Sequence, residues 1–158
     1  MTSLALPIAA TESEQRLIAD IQQYGWHFIE IPEDDIGPGY LFTVGLYYSY
    51  SHPEILLMGL DSEISRAFLQ SIAGGIKTGA KYLDGSMDSD LASFPIAFKG
   101  IALSRYHDYL GYANWLYRAA PNGFPAVQFI WPDKAGKFPW DKGYNSKFLA
   151  RQTPLWLD

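Results

Sequence analysis

The sequence predicts an α+β domain with a mixed, mostly antiparallel, curled sheet of about five to six strands and three main helices. Three observations predict it. Apolar residues recur at helical spacing in three separated segments, short apolar runs of strand length lie between them, and those runs are joined by brief Pro- and Gly-rich connections. At 158 residues with 48% apolar and 16% aromatic content, the chain suits one sizeable core. It is therefore read as a single domain over residues 1–158, with residues 1–10 a candidate disordered tail.

The elements follow in order. Thr11-x-x-Glu14 has capping-box spacing, Leu17, Ile18, Ile21 and Tyr24 recur on one face, and Gly25 offers a left-handed stop, so a helix is expected over residues 12–24. "WHFIEI" reads as a strand ended by Pro32 and the acidic turn "PEDDIGPG". "YLFTVGL" and "EILLMGL" read as strands joined by an aromatic loop, "YYSYSHP". Asp61 or Ser62 can cap a second helix whose buried stripe is Ile64, Phe68, Ile72 and Ile76. "AKYLDG" is expected as a short strand, "SMDSDLAS" as a polar loop and "PIAFKGIAL" as a strand with Pro95 at its start. A third helix is expected over residues 106–117, and "FPAVQFIW" is the last strong strand. Beyond it, Asp133-Lys134-Ala135-Gly136 fits a type I turn, after which Phe138 and Trp140 are expected to fold back on a sheet edge guarded by Pro139.

Composition removes several chemistries. The chain has no cysteine, which excludes disulfides, thiolate nucleophiles and cysteine-ligated metals. No apolar run approaches the roughly 20 residues that cross a bilayer. "LALPIAA" lacks a basic lead and is broken by Pro7, so a cytoplasmic protein without a signal peptide or membrane association is expected. The net charge of −5 is unevenly placed: residues 11–63 hold ten acids and one base, whereas residues 133–151 hold five bases and two acids. The basic residues form no stripe, which argues against nucleic acid as a partner. No Gly-x-Ser-x-Gly elbow occurs, and "GGIKTGAK" lacks the Gly-Lys-Ser/Thr of a phosphate loop.

The histidines are the candidate chemistry. His27 alternates with Ile29 and Ile31, which points to a core-edge side chain; His107, beside Arg105 and Asp108, reads as a capping or solvated residue. In "HPE", an extended backbone would project His52 and Glu54 the same way, so these two with His27 are the candidate catalytic set and the candidate ligands of a divalent metal. Trp26, Thr43, Gln128, Trp131 and Asp133 are the candidate walls of a pocket around them. Against this stands a surface reading. Glu33, Asp34 and Asp35 with Tyr47, Tyr48 and Tyr50 combine charge steering with aromatic anchors, the composition of a protein-binding face.

Ordered blocks through most of the chain carry a resemblance: Tyr24-Gly25-Trp26-His27, Gly37-Pro38-Gly39, Thr43-Val44-Gly45-Leu46, His52-Pro53-Glu54 and Trp131-Pro132-Asp133. Over roughly residues 14–154 the sequence resembles the bacterial domain of unknown function 4262. That resemblance implies a bacterial, cytoplasmic, single-domain protein and carries no activity. A strand pair bearing Thr-x-Gly, then a loop and a Pro-led apolar strand, is similar in outline to flavin-reductase-like split barrels, which hold a flavin phosphate with Ser, Thr, Lys and Arg. Here no Lys or Arg lies between Arg16 and Arg66, so a phosphate would fall to backbone amides or to Arg66, Lys77, Lys81 and residues beyond.

The leading expectation is a cofactor-free binding protein, an immunity- or antitoxin-like inhibitor of a basic toxin, acting through Glu33, Asp34, Asp35 and the three tyrosines. The alternative is a flavin- or metal-dependent enzyme around His27, His52 and Glu54. A homodimeric structural module is the third reading.

Overall fold

The computed structural model describes residues 4–158. Among them, five α-helices and six strands run in the order α1 (Glu12–Tyr24), β1 (His27–Ile31), β2 (Tyr40–Val44), α2 (Leu46–Tyr50), β3 (Glu54–Met58), α3 (Ser62–Lys77), β4 (Met87–Asp88), β5 (Ile96–Gly100), α4 (Leu103–Tyr109), α5 (Gly111–Leu116) and β6 (Ala126–Ile130). The strands form one open sheet in the order β1-β2-β3-β6-β5-β4. Only β3 and β6 pair in parallel; the other neighbours are antiparallel. The fold is thus α+β with a mixed sheet, and its edges are β1 and β4.

Strand alternation divides the core into two layers. Phe42, Val44, Leu56 and Met58 face α1 and α5, with Leu17, Ile21, Leu110, Ala113 and Leu116 packed against them. Leu41, Ile55, Leu57, Phe98 and Phe129 face the opposite way, onto Leu69, Ile72, Ala73 and Ile76 of α3. Because both faces are covered, β3 and β6 are buried along their whole length, with Glu54 and Gln128 the polar residues among otherwise apolar ones. Leu4 and Leu6 also pack against the first layer, so the part of the expected tail that is described lies on the core; Met1–Ser3 fall outside the described residues.

Local signals explain α1 well. Thr11 Oγ1 accepts from the Glu14 N–H at 3.1 Å, Glu14 Oε1 accepts from the Thr11 N–H at 3.2 Å, and Gly25 closes the helix at φ 93°. Elsewhere the structure corrects the sequence reading. The expected loop "YYSYSHP" contains α2, whose start is stabilised by a side chain eight residues away. The expected third helix is two, α4 and α5, broken at Leu110, whose side chain is fully buried. Breaking the helix there lets Leu110 and α5 both reach the sheet.

"AKYLDG" forms no strand, because the Tyr82 N–H donates to His52 Nε2 at 2.9 Å instead of to a ladder. "SMDSDLAS", expected as loop, supplies the two residues of β4, and Asp88 then caps the turn by accepting from the N–H groups of Asp90 and Leu91. Phe138 packs on Ala97 and Ile130, the end pair of the β5–β6 ladder, not on an edge strand. Trp140 stacks on Phe138, and the Lys99 ammonium lies 4.4 Å from the Trp140 ring centroid.

Two glycines make opposite predictions. Gly59 has φ 88°, and a Cβ there would overlap the backbone carbonyl of Arg151. Gly74 lies inside α3 with open space at its Cβ position. In urea unfolding, Gly59→Ala should lower stability by about 2 kcal/mol or more, and Gly74→Ala should raise it by roughly 1 kcal/mol.

Candidate functional site

The two blocks "TVGL" and "HPE" meet around the most deeply buried acid. Glu54 is 0% exposed. Its Oε1 accepts from Thr43 Oγ1 at 2.7 Å and from the Leu46 N–H at 3.2 Å. Its Oε2 accepts from the N–H groups of Gly45 and Tyr47, each at 3.1 Å, and from the Tyr117 hydroxyl at 2.5 Å. The backbone steers the two hydroxyls toward the carboxylate. Thr43 Oγ1 already accepts from the Ile55 N–H at 2.8 Å, and the Tyr117 oxygen accepts from the Tyr48 N–H at 3.0 Å, so each proton is directed at the carboxylate. Burial pushes the Glu54 carboxyl above its ordinary range, and the donors, Tyr117 first and then Thr43, pull it back. With five donors and no acceptor facing it, the geometry calls for the anion. Burial and the nearby Glu54 charge push the Tyr117 phenol upward, which keeps its proton in place.

His52 is equally committed, but elsewhere. Its Nε2 accepts from the Tyr82 N–H, which leaves Nδ1 protonated and donating to the Pro53 carbonyl at 2.8 Å. It touches Tyr82 in the α3 layer, whereas Glu54 is tied to Tyr117 in the other layer. His27 Nδ1 pairs with Asp20 Oδ2 at 2.7 Å, between β1 and α1. His27, His52 and Glu54 therefore do not converge, and among the described residues no three His, Asp, Glu or Cys side chains are grouped to hold a metal ion.

The proposed pocket walls are dispersed as well. Thr43 belongs to the Glu54 network. Gln128 bridges to the C-terminal segment through the Thr153 carbonyl and the Leu155 N–H, each at 2.9 Å. Trp131 Nε1 donates to the Met58 carbonyl at 2.8 Å, and Gln152 bonds the Trp131 backbone in both directions. Asp133 accepts from the N–H groups of Ala135, Lys137 and Asn145, and the Asn145 bond foremost holds its carboxyl below the ordinary range. Trp26 packs beside Phe28 in the α3 layer.

The surface candidates separate too. Glu33, Asp34 and Asp35 precede β2, whereas Tyr47, Tyr48 and Tyr50 follow it, so they occupy opposite ends of one strand. Tyr47 sits edge-on to Tyr117, Tyr48 is half-buried on the first core layer, and the Tyr50 hydroxyl covers Gly25. The acids, by contrast, are exposed on the β1–β2 hairpin loop. Asp34 stiffens that loop: Oδ1 accepts from the N–H groups of Ile36 and Gly37 at 2.8 and 3.1 Å, and the Asp34 N–H donates to the Gly37 carbonyl at 3.2 Å. Ile36, at its tip, is 96% exposed.

Three concavities meet at the base of this loop. One of about 570 Å³ is lined by Glu30, Glu33, Leu60, Asp61 and Arg151. A second, of about 390 Å³, has an apolar and aromatic lining of Ile29, Phe42, Tyr112 and Trp115, with Glu14 and Asp108 among its walls. A third, also of about 390 Å³, lies under Asp34 and Ile36 and is bordered by Met58 and Arg105. Ile31 and Tyr40, the last pair of the hairpin, line all three. Tyr40 is fixed by donation to the Tyr109 carbonyl at 3.0 Å, and burial pushes its phenol up to about 12. Sequence reasoning found the acids here and missed Tyr40, Tyr109, Tyr112 and Trp115. Ile36, a lone aliphatic among acids, Gly and Pro, was the available signal.

A family model described as domain of unknown function (DUF4262) matches residues 20–145. Neither the curated proteins nor the solved structures hold a match to the chain.

Two measurements check the buried network. Glu54→Gln keeps the shape but turns an NH₂ toward donors, and should cost at least about 3 kcal/mol in urea unfolding, with Tyr117→Phe costing about 2 kcal/mol. Burial lowers the His52 value below its ordinary 6.5. Its neutral form is the native one, so its contribution is complete above pH 6.5 and is lost as pH falls through the lowered folded value. His52→Gln should flatten that part of the stability–pH curve.

Proposed function

As the chain belongs to the DUF4262 family, whose description states no activity, we propose that it is a binding protein for a basic protein partner, an immunity- or antitoxin-like inhibitor that works in the cytoplasm. The observation that carries this is the stiffened hairpin loop, which holds Glu33, Asp34, Asp35 and an almost wholly exposed Ile36 at the meeting point of three concavities.

The chemistry of that region suits such a partner. Glu14, Glu30, Glu33, Asp34, Asp61 and Asp108 border it against Arg66, Arg105 and Arg151. Each of those arginines is held by the chain itself: Arg66 by Glu30 at 2.8 Å, Arg105 by the Leu157 carbonyl and Arg151 by the Gly59 carbonyl. The acids supply long-range attraction that speeds encounter, and Ile36 with the half-buried Tyr109, Tyr112 and Trp115 supplies apolar contact once docked. Inside the protein, the acids and His52 that could do chemistry are bonded to fixed internal partners, which favours binding over turnover. Among the described residues no helix is long and apolar enough to cross a membrane.

Capture from an extract of the native host should yield a basic protein that associates at least about tenfold more slowly with the Glu33→Lys/Asp35→Lys variant, and more slowly in raised salt. Asp34 is left intact so that the loop keeps its shape. A captured partner whose association rate ignores both changes contradicts the proposal.

A further inference from the structure

β1 is an edge strand, and the hydrogen-bond register fixes which of its backbone groups are unpaired. The Gly59 N–H donates to the Gly39 carbonyl, and the Ile55 N–H reaches Thr43 through its side chain, so residues 39, 41 and 43 of β2 direct their backbone groups toward β3. The Glu54 N–H donates to the Pro125 carbonyl, on the β6 side, which agrees with that phase. Tyr40, Phe42 and Val44 then turn toward β1 and meet Ile31, Ile29 and His27. The alternate residues, Phe28 and Glu30, are left with their N–H and C=O groups pointing away from the sheet. Pro32, which has no N–H, closes this row.

We propose that this edge receives an extended segment of the partner as an added antiparallel or parallel strand; the inference rests on the basic-partner reading and names how that partner is held. Three features favour such an occupant over a bare edge. β1 has no Pro, Lys or bulge within its five residues, although those are the usual guards of an edge. Its Ile29 and Ile31 are half-buried and already line the apolar concavity, so an incoming strand would find aliphatic neighbours on that face. On the other face stand Phe28 and Glu30, and beyond Glu30 lie Glu33 and Asp61.

A strand laid there alternates its side chains between these faces. The matching segment is therefore one that alternates β-branched or aliphatic residues with Lys or Arg. Main-chain hydrogen bonds would supply affinity, and the alternation would supply specificity. A second copy of this chain fits less well, because its β1 carries no Lys or Arg to meet Glu33 and Asp61, and Glu30 is already paired with Arg66.

The probe is a soluble heptapeptide alternating Val and Lys, with a second version N-methylated on alternate amides so that it cannot extend a sheet. Amide hydrogen exchange and NMR are read on the full chain. The expected result is that the first peptide slows exchange at the Phe28 and Glu30 amides at least about tenfold and that the methylated one does not. Asp61→Lys, which leaves the Glu30–Arg66 pair intact, should weaken binding of the first peptide, and Ile36→Ser should leave the protection at Phe28 intact. If the peptide binds and the Glu33→Lys/Asp35→Lys variant loses it, but the Phe28 and Glu30 amides stay unprotected, strand addition is overturned while the basic-partner reading stands. Absence of binding overturns strand addition. Protection of both amides in the peptide-free protein, rising with its concentration alongside a dimer in light scattering, assigns the edge to a second copy and equally overturns it.

Discussion

One buried carboxylate sets the geometry on which the first half of the fold depends. Taking a lone ionised group out of water costs several kcal/mol, so Glu54 can remain inside only if its lone pairs are met. They are met by donors from β2, from the start of α2 and from the end of α5, and those donors in turn could not sit together without the anion. A five-residue helix has little intrinsic stability. α2 exists because the carboxylate accepts from the Leu46 and Tyr47 N–H groups that a helix start leaves unpaired, and Gly45, at φ 110°, gives the chain the turn needed to aim them. Through Tyr117 the same group fixes the layer of helices above the sheet.

The remaining polar interior follows the same logic at smaller scale. Gln128, Gln152 and Asp133 each bond backbone groups of segments that have no ladder of their own, and together they fasten the irregular C-terminal stretch to β6. His52 does this for the segment at Tyr82. Side chains that would be reactive in a cleft are thereby used as fixed corner pieces. Around the β1–β2 hairpin, by contrast, the β1 edge, Glu33, Asp35 and Ile36 face outward. Function placed there needs little from the interior except a rigid frame, which the Asp34 caps and the Tyr40–Tyr109 bond provide.

Much of this frame was legible in the residues. α1, the five long strands and α3 all carry their own local signals, namely a capping box, strand-length apolar runs and a helical stripe. What escaped was everything decided by distant partners. α2 depends on Glu54, the missing strand at residues 80–85 depends on His52, and the break at Leu110 depends on the sheet surface beneath it. The candidate site divides in the same way. Exposure of Glu33–Asp35 follows from a Pro/Gly turn of consecutive acids, whereas the aromatic walls come from α4 and α5, some 70 residues later in the chain than Tyr40. The spacing in "HPE" suggested that His52 and Glu54 act together, yet Glu54 is drawn to donors in one layer and His52 to an amide in the other. Single-residue patterns show which side chains can do chemistry; only packing shows which are already occupied.

The ionisation of Glu54 is the point at which this account is most exposed. Carbon-13 NMR of the protein labelled at Glu side-chain carboxyls reads it directly, with Glu54 assigned by the Glu54→Gln variant. At neutral pH the account predicts one carboxyl signal at the ionised shift, slow to titrate and insensitive to salt because five internal donors and no solvent surround it. A Glu54 signal at the protonated shift at neutral pH would contradict it, since the added proton would force the Thr43 or Tyr117 hydroxyl to give up its own donation to the carboxyl.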